Sequence, residues 1–215
     1  STTISNAYAS GYGASGADAI SIGTQTKASG QRSVSLGRGA TSSGIRAVAI
    51  GTSTASADDA VAIGTYTISA IKGKYAYASS RFAANGDAQG GQFILIADTS
   101  DATATVLTTN NSTAAADNQI VAASDTCIMF SGTLVAMQNG AQDQGGWEIK
   151  GLLKNDGGTT TLVNSNIQTF DDGNGWVVAL TADNTNNALA ITCTGEAAHN
   201  IRWVANIKTS EVTYA

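Results

Sequence analysis

His199 is the only histidine in the 215-residue chain, so acid–base catalysis by an imidazole could occur only there. Residues 196–200 around it are mostly polar or small, which predicts an exposed turn, and no serine or cysteine is adjacent in the sequence. Such a nucleophile needs a base within hydrogen-bonding distance. The sequence therefore indicates no catalytic triad, and we expect this protein not to be an enzyme.

Carboxylates could supply the acid and base of a glycan-cleaving tailspike, which needs two carboxyl groups roughly 5 to 9.5 Å apart. Acidic residues beyond position 140 lie mostly in segments predicted to be turns, where solvated carboxylates are common, and nothing in the sequence pairs two of them. Candidates among them are Asp143, Glu148, Asp156, Asp171 and Asp172. A tailspike polysaccharide depolymerase stays open as a second alternative function.

Metal and cofactor sites have no recognisable spacing in this sequence. There is no C-x-x-C or H-x-x-x-H pattern, residues 171–175 fail the EF-hand spacing, and the G-x-G-x-x-G at residues 11–16 precedes no predicted helix. We expect no cofactor and no metal.

Cys127 and Cys193 lie in apolar, strand-like surroundings, which favours two buried free thiols and leaves a disulfide open.

Charge and hydropathy exclude two classes of partner. The formal net charge is −5, and neither half of the chain carries the basic patch that nucleic-acid binding requires. No apolar run approaches the roughly 20 residues of a membrane-spanning helix. With 24 glycines and no proline, the composition favours β-structure with many tight turns. The first five residues resemble the interior of a protein, so we expect a fragment of a longer chain.

A glycine repeat between residues 16 and 64 is the element that organises the chain. Glycine recurs at every seventh position as far as Gly51 and re-enters one residue early at Gly64. Apolar and polar units alternate before these glycines, so the full period is fourteen residues. Fixed-period self-similarity predicts a stacked repeat architecture.

Each period predicts one flattened coil of two short strands. Side chains alternate faces along a strand, so the small central residues point inward while the flanking aliphatic residues form an outer wall. A contiguous apolar wall in water marks an interface. The predicted interface residues are Ile20, Ile22, Val34, Leu36, Val48, Ile50, Val61 and Ile63.

The unit Val48-Ala49-Ile50-Gly51 and the in-phase glycines resemble the left-handed parallel β-roll in the heads of trimeric autotransporter adhesins. Similar repeats occur in phage tail fibres. The resemblance covers about 60 residues and implies a homotrimer that buries the apolar walls around one axis.

Residues 71–215 have a different pattern, with all three tryptophans and all four phenylalanines beyond residue 80. About nine short strand-like runs are separated by turns rich in Gly, Asn and Asp, which predicts an antiparallel β-sandwich or jelly roll. Alternation at Ile201, Trp203 and Ala205 favours core packing for the tryptophans. We therefore predict an all-β protein with a β-roll shaft at residues 1–70 and a sandwich head at residues 71–215.

Two phrases in the second part, Gly173-Asn174-Gly175-Trp176 and Ile201-Arg202-Trp203-Val204-Ala205, resemble the terminal β-domain of tailed-phage fibres. The resemblance implies the distal part of a tail fibre on a virion, which binds a bacterial surface glycan or outer-membrane protein. The alternative is the head of a trimeric adhesin on a bacterial cell surface. Polar loops on a rigid sheet are the expected contact sites. The candidates are Asp156, Asp171, Asp172, Asn174, Asn184 and Asn186.

Overall fold

A computed structural model of the chain describes residues 4–6, 11–140, 143–173 and 175–214. The described residues form strands, turns and irregular segments with no helix, which confirms the all-β prediction. The chain divides into two compact units between Gly91 and Gln92. This division falls later than the boundary expected after residue 70, because the coils of the first unit continue beyond that residue.

The first unit is a parallel β-solenoid. One side of the coil stack has the strand order β1-β3-β5-β7-β8-β9, and the other side pairs β2 with β4, β4 with β6, and β6 with the second half of β7. The strand pairings within the stack are all parallel, as the fourteen-residue coil predicts. The strands are β1 (Ile4–Asn6), β2 (Gly13–Ala14), β3 (Ile20–Ile22), β4 (Lys27–Ala28), β5 (Val34–Gly37), β6 (Thr41–Ser42), β7 (Val48–Ala55), β8 (Val61–Ser69) and β9 (Tyr75–Ala78).

One coil is a residue shorter than its neighbours. Val34 pairs with Val48, fourteen residues on, whereas Val48 pairs with Val61, thirteen residues on. The ladder between β7 and β8 shifts register between Thr52 and Thr54, which locates the missing residue at one corner. Glycine returns one residue early, at Gly64, because this corner is one residue shorter.

The missing residue is the one that turns the corner in a left-handed conformation. Gln25, Gly39 and Tyr66 occupy this corner in other coils, with φ angles of 59°, 70° and 63°. Neither Thr52 nor Ser53 has a positive φ, and β7 runs through the corner as one continuous strand. The short coil therefore bends without the left-handed residue that its neighbours use.

Two different constraints require glycine in the coils. Gly37 has φ 115°, a conformation that side chains resist, so here the backbone angle explains the glycine. Gly30 lacks a positive φ, but a Cβ added to it would lie 1.9 Å from the carbonyl oxygen of Gly44 in the next coil. At Gly30 the glycine is required because the neighbouring backbone is close.

The interior of each coil is narrow and filled by small side chains. Along the apolar side Ser21, Ser35, Ala49 and Ala62 are fully buried, as the repeat predicted, and Ala76 in the next coil is also fully buried. The buried hydroxyls are satisfied: Ser21 Oγ donates to Thr26 Oγ1 at 2.7 Å, and the Oγ atoms of Ser35 and Ser42 lie 2.7 Å apart. Buried polar groups persist when they are hydrogen-bonded, so serine can replace alanine inside the coil.

The second unit contains two antiparallel sheets. The larger has the order β10-β18-β13-β14-β15, and in the smaller β17 pairs with β11 and β12 along one edge and with β16 along the other. The first strand, β10, begins in the first unit and continues into the second. The strands are β10 (Ala88–Thr99), β11 (Thr105–Val106), β12 (Ile120–Val121), β13 (Thr126–Gln138), β14 (Gln144–Asp156), β15 (Thr159–Asp172), β16 (Val177–Asp183), β17 (Ala188–Thr194) and β18 (Ile201–Thr213).

Tryptophans form the centre of this second core. The Trp203 ring stacks on Trp147 with centroids 5.6 Å apart and meets Trp176 at 5.5 Å, and all three side chains are buried. Trp203 Nε1 donates to Thr99 Oγ1 at 2.9 Å, so its one polar atom has a partner. Aromatic pairs at these distances add to the stabilisation from burial. The assignment of the tryptophans to the core is confirmed.

Candidate functional site

The predicted interface residues form two parallel columns on one outer face of the coil stack. Register places Ile20, Val34, Val48 and Val61 in one column and Ile22, Leu36, Ile50 and Ile63 in the other. Strands in a sheet are about 4.8 Å apart, so four levels extend roughly 15 Å along the stack. All eight side chains are half-buried or exposed, while the small residue between each pair is fully buried. We call this face the apolar wall.

Two tyrosines extend the apolar wall by one more level. Tyr75 pairs with Val61 and Tyr77 with Ile63, and their exposed fractions are 40% and 54%. This level was not predicted, because the glycine repeat ends at Gly64. The signal was nevertheless present: Tyr75-Ala76-Tyr77-Ala78 keeps the large-small-large alternation of the other levels. The wall thus contains ten side chains on five levels.

Charges in the coils lie away from the apolar wall, at corners and on the polar side. Arg46 Nε and Asp59 Oδ1 form an ion pair at 2.6 Å between successive coils, with about half of each side chain exposed. The hydrogen bond from Arg46 lowers the pKa of Asp59. None of the ten wall residues is charged. An uncharged, contiguous apolar face can associate with a like face, but it offers no group for chemistry.

Three of the expected contact residues lie together at one end of the second unit. Asp156 ends β14, and Lys154 Nζ donates to its carboxylate at 2.6 Å, which lowers the pKa of Asp156. Asn184 Oδ1 accepts from the Thr160 amide at 2.7 Å, which links the turn before β17 to the hairpin after Asp156. Asn186 donates to Asp183 Oδ2 at 2.7 Å within the same turn. These side chains hold their own turns in place.

The other two described candidates, Asp171 and Asp172, lie at the far end of the fourteen-residue strand β15. At about 3.3 Å per residue the two ends of this strand are roughly 40 Å apart. Asp171 accepts hydrogen bonds from the Gly173 amide and from Gln144 Nε2, and both lower its pKa. Asn174 lies outside the described residues. The structure therefore divides the expected contact residues between two ends of the unit.

No cluster for metal binding occurs in the part of the chain that the structure describes. It contains no group of three or more His, Cys, Asp or Glu side chains that could hold a metal ion. His199 Nδ1 lies 2.9 Å from Glu196 Oε2 in the turn before β18. Cys127 and Cys193 are free thiols, and burial raises the pKa of Cys193 to about 12. Cys193 is therefore a packed core residue with little thiolate character.

None of the described residues belongs to a helix long and apolar enough to cross a membrane.

Comparison with known families supports the interpretation of the coil stack. The family of the YadA head domain repeat matches the chain at three overlapping positions. Each match spans two copies of the repeat, and the matched residues are 14–40, 28–54 and 42–67. Successive matches begin fourteen residues apart, which is the pairing offset of the regular coils. The resemblance to adhesin head repeats is therefore confirmed over residues 14–67, which are less than half of the chain. No curated protein matches the chain. The comparisons give no support to the resemblance to a phage tail fibre.

Proposed function

We propose that this chain is part of a trimeric adhesin-type protein displayed at a bacterial cell surface, in which the coil stack forms the trimer. The observation that carries this proposal is the coincidence of two findings. Residues 14–67 match the YadA head repeat, and the same coils carry the uncharged apolar wall. The chain's role on this proposal is attachment to a surface, with no chemical step.

The apolar wall favours association because its side chains remain partly in water in the single chain. Ile22, Tyr75 and Tyr77 are 45%, 40% and 54% exposed, and the other wall residues are half-buried. Removal of apolar surface from water contributes about 25 cal/mol per Å². Three copies around one axis would bury the same wall of each copy and leave the polar side of each coil in solvent. Closed cyclic symmetry also prevents further growth of the assembly.

Light scattering coupled to size-exclusion chromatography tests the trimer. We expect a mass three times the 21.6 kDa of one chain. Ile50→Asp should give monomers, because assembly would bury three unpaired carboxylates near one axis. Thr41→Asp is the matched control, since it introduces the same carboxylate on the polar side of the stack. A wild-type protein that stays monomeric at micromolar concentration would contradict the proposal.

The place where the protein is displayed distinguishes an adhesin from a tail fibre. A tail fibre would carry the same trimeric stack on a virion instead of a bacterial cell. Antibodies raised against the second unit should label intact bacterial cells that express the full-length gene. Labelling confined to purified virions would favour the distal part of a tail fibre instead. We favour the adhesin because its head repeat is the family that matches the coils.

Binding without cleavage is the expected activity. Incubation of the protein with capsular polysaccharide or lipopolysaccharide should release no oligosaccharide. Released oligosaccharide would indicate a depolymerase and would overturn the proposal that the chain acts by attachment alone.

A further inference from the structure

A cleft of about 690 Å³ with both polar and apolar lining opens at one end of the larger sheet of the second unit. Three neighbouring strands end there: β10 at Thr99, β13 at Gln138, and β18, which begins at Ile201. Gln138 pairs with Ile201, and the Asn139 amide donates to the Asn200 carbonyl at 2.9 Å. The backbone around the cleft is therefore fixed by sheet pairing. Its volume lies in the range of small-molecule sites.

Gln138 has unused hydrogen-bonding capacity in the wall of this cleft. Its side chain is 5% exposed, and its buried Oε1 has no hydrogen-bond partner among the described residues. Buried polar atoms in native proteins are nearly always paired, so an unpaired one requires an explanation. A hydroxyl donor that reaches this amide, after a small rotation of the side chain, would restore the missing bond.

Two further carboxamides lie at the cleft. Asn139 and Asn200 are exposed, and neither side chain forms a hydrogen bond with the residues that the structure describes. A carboxamide can donate and accept at once, and a hydroxyl group can do the same. Three carboxamides that can each form further hydrogen bonds therefore lie around one cleft. This arrangement suits a ligand with several hydroxyl groups.

The charges at the cleft cancel each other. Arg202 Nε lies 3.3 Å from Asp98 Oδ1, and among the described residues that line the cleft these two alone are charged. Asp98 also accepts from Asn111 Nδ2 at 2.8 Å. A paired carboxylate and guanidinium leave no net charge to select an ion. Met137, 59% exposed, offers an apolar surface beside these polar groups.

We propose that this cleft binds a neutral carbohydrate, with Gln138, Asn139 and Asn200 as hydrogen-bonding residues and Met137 in contact with the apolar face of the sugar ring. The site goes beyond the proposed function, which names no ligand and no binding residue. Its argument depends on the second unit alone, so it stands whether or not the coil stack forms a trimer.

Trp203 provides a site-specific probe for this binding. Its Nε1 donates to Thr99 Oγ1, and Thr99 lines the cleft. A ligand in the cleft should therefore shift the Trp203 indole N–H resonance of the ¹⁵N-labelled full chain. We expect this shift, together with saturation transfer from protein to sugar, in the presence of methyl glycosides of glucose, galactose, mannose or N-acetylglucosamine. A monosaccharide presents few atoms for binding, so about 20 mM of each is appropriate.

Paired substitutions locate the binding. The double variant Asn139→Ala/Asn200→Ala should weaken binding about tenfold or more, because two hydrogen bonds are lost. Asn166→Ala is the matched control, since Asn166 is an exposed asparagine on β15 and does not line the cleft. It should leave the affinity unchanged.

The failure of this inference can be told apart from the failure of the proposed function. Assembled trimers that show no saturation transfer from any of the four glycosides would overturn the cleft proposal alone. The same holds if binding survives the double variant, or if only a charged sugar such as methyl glucuronide binds. Monomers that bind a neutral glycoside at the cleft would support the site and overturn the trimer.

Discussion

Asp87 holds together the turn that leads out of the coils of the first unit. Its carboxylate accepts backbone hydrogen bonds from Phe82, Ala83 and Ala84 at 3.0, 2.7 and 2.7 Å, and the side chain is 2% exposed. Burial alone would raise the pKa of Asp87, but these three bonds, with a contribution from Arg81, lower it below its ordinary value. The folded protein therefore favours the charged form.

The lowered pKa of Asp87 predicts a pH-dependent contribution to stability. A carboxyl group whose pKa is depressed on folding stabilises the protein above its unfolded pKa, about 3.9, and this stabilisation is lost as pH falls through the folded pKa. Asp87→Asn should lower the melting temperature at pH 7, because an amide cannot replace a carboxylate that accepts three N–H groups. The difference from wild type should narrow when the melts are repeated near pH 3.

Glu148→Gln is the control for this series, because Glu148 is an exposed carboxylate on β14. It should leave the melting temperature unchanged at pH 7. A difference between wild type and Asp87→Asn that is the same at both pH values would show that the substitution acts through packing and not through charge.

At the scale of the elements, the sequence was sufficient to predict the coils, because one physical constraint repeats in each of them. Gly30 and its equivalents recur because the next coil leaves no room for a Cβ, and Ala49 and its equivalents recur because the interior is narrow. A constraint that recurs at each level produces a readable period. This is why the coils, their spacing and the apolar wall could all be predicted.

The last coil was not predicted because the position equivalent to the repeated glycine does not have to be glycine there. A Cβ at Gly64 would lie 2.0 Å from the Ala78 carbonyl oxygen, so Gly64 must be glycine. Ala78, which occupies the equivalent position in β9, carries a side chain. The cleft could not be predicted either. Asp98, Gln138 and Asn200 are far apart in sequence, and only the order β10-β18-β13 brings them together.

The shortened coil gives a sharp test of the corner geometry. Insertion of one glycine between Thr52 and Ser53 restores the fourteen-residue spacing and supplies the left-handed residue that Gly39 and Tyr66 provide in other coils. We expect the variant to fold, with a melting temperature within about 5 °C of wild type, because added glycine entropy costs only about 0.5–1 kcal/mol. Circular dichroism measures the transition.

The matched insertion is one glycine between Ala49 and Ile50, in the same strand. Because side chains alternate with a period of two, this change turns Ile50 toward the interior, which accommodates only small residues there. The first unit should then lose its cooperative transition. If both insertions were equally damaging, the corner would not be the site of the missing residue.

At the scale of the whole molecule, the two units present different kinds of surface. The first offers an uncharged apolar wall of ten side chains, and the second offers a cleft lined by carboxamides and one balanced ion pair. Apolar walls suit permanent association with identical copies, whereas small clefts suit reversible contact with a ligand. On our proposals assembly and recognition are therefore encoded in separate parts of one chain. Assembly would also multiply the recognition sites, and linked sites bind a surface more tightly than single ones.

Assembly through the apolar wall makes stability depend on protein concentration, which gives the last prediction. A folded trimer in equilibrium with unfolded monomers is favoured by mass action, so the melting temperature should rise by about 2–8 °C for each tenfold increase in concentration. Ile50→Asp should melt at a lower temperature that does not change with concentration, while Thr41→Asp should keep the wild-type dependence. Calorimetry over a hundredfold range of concentration measures both slopes. A wild-type melting temperature that does not change with concentration would contradict assembly through the apolar wall.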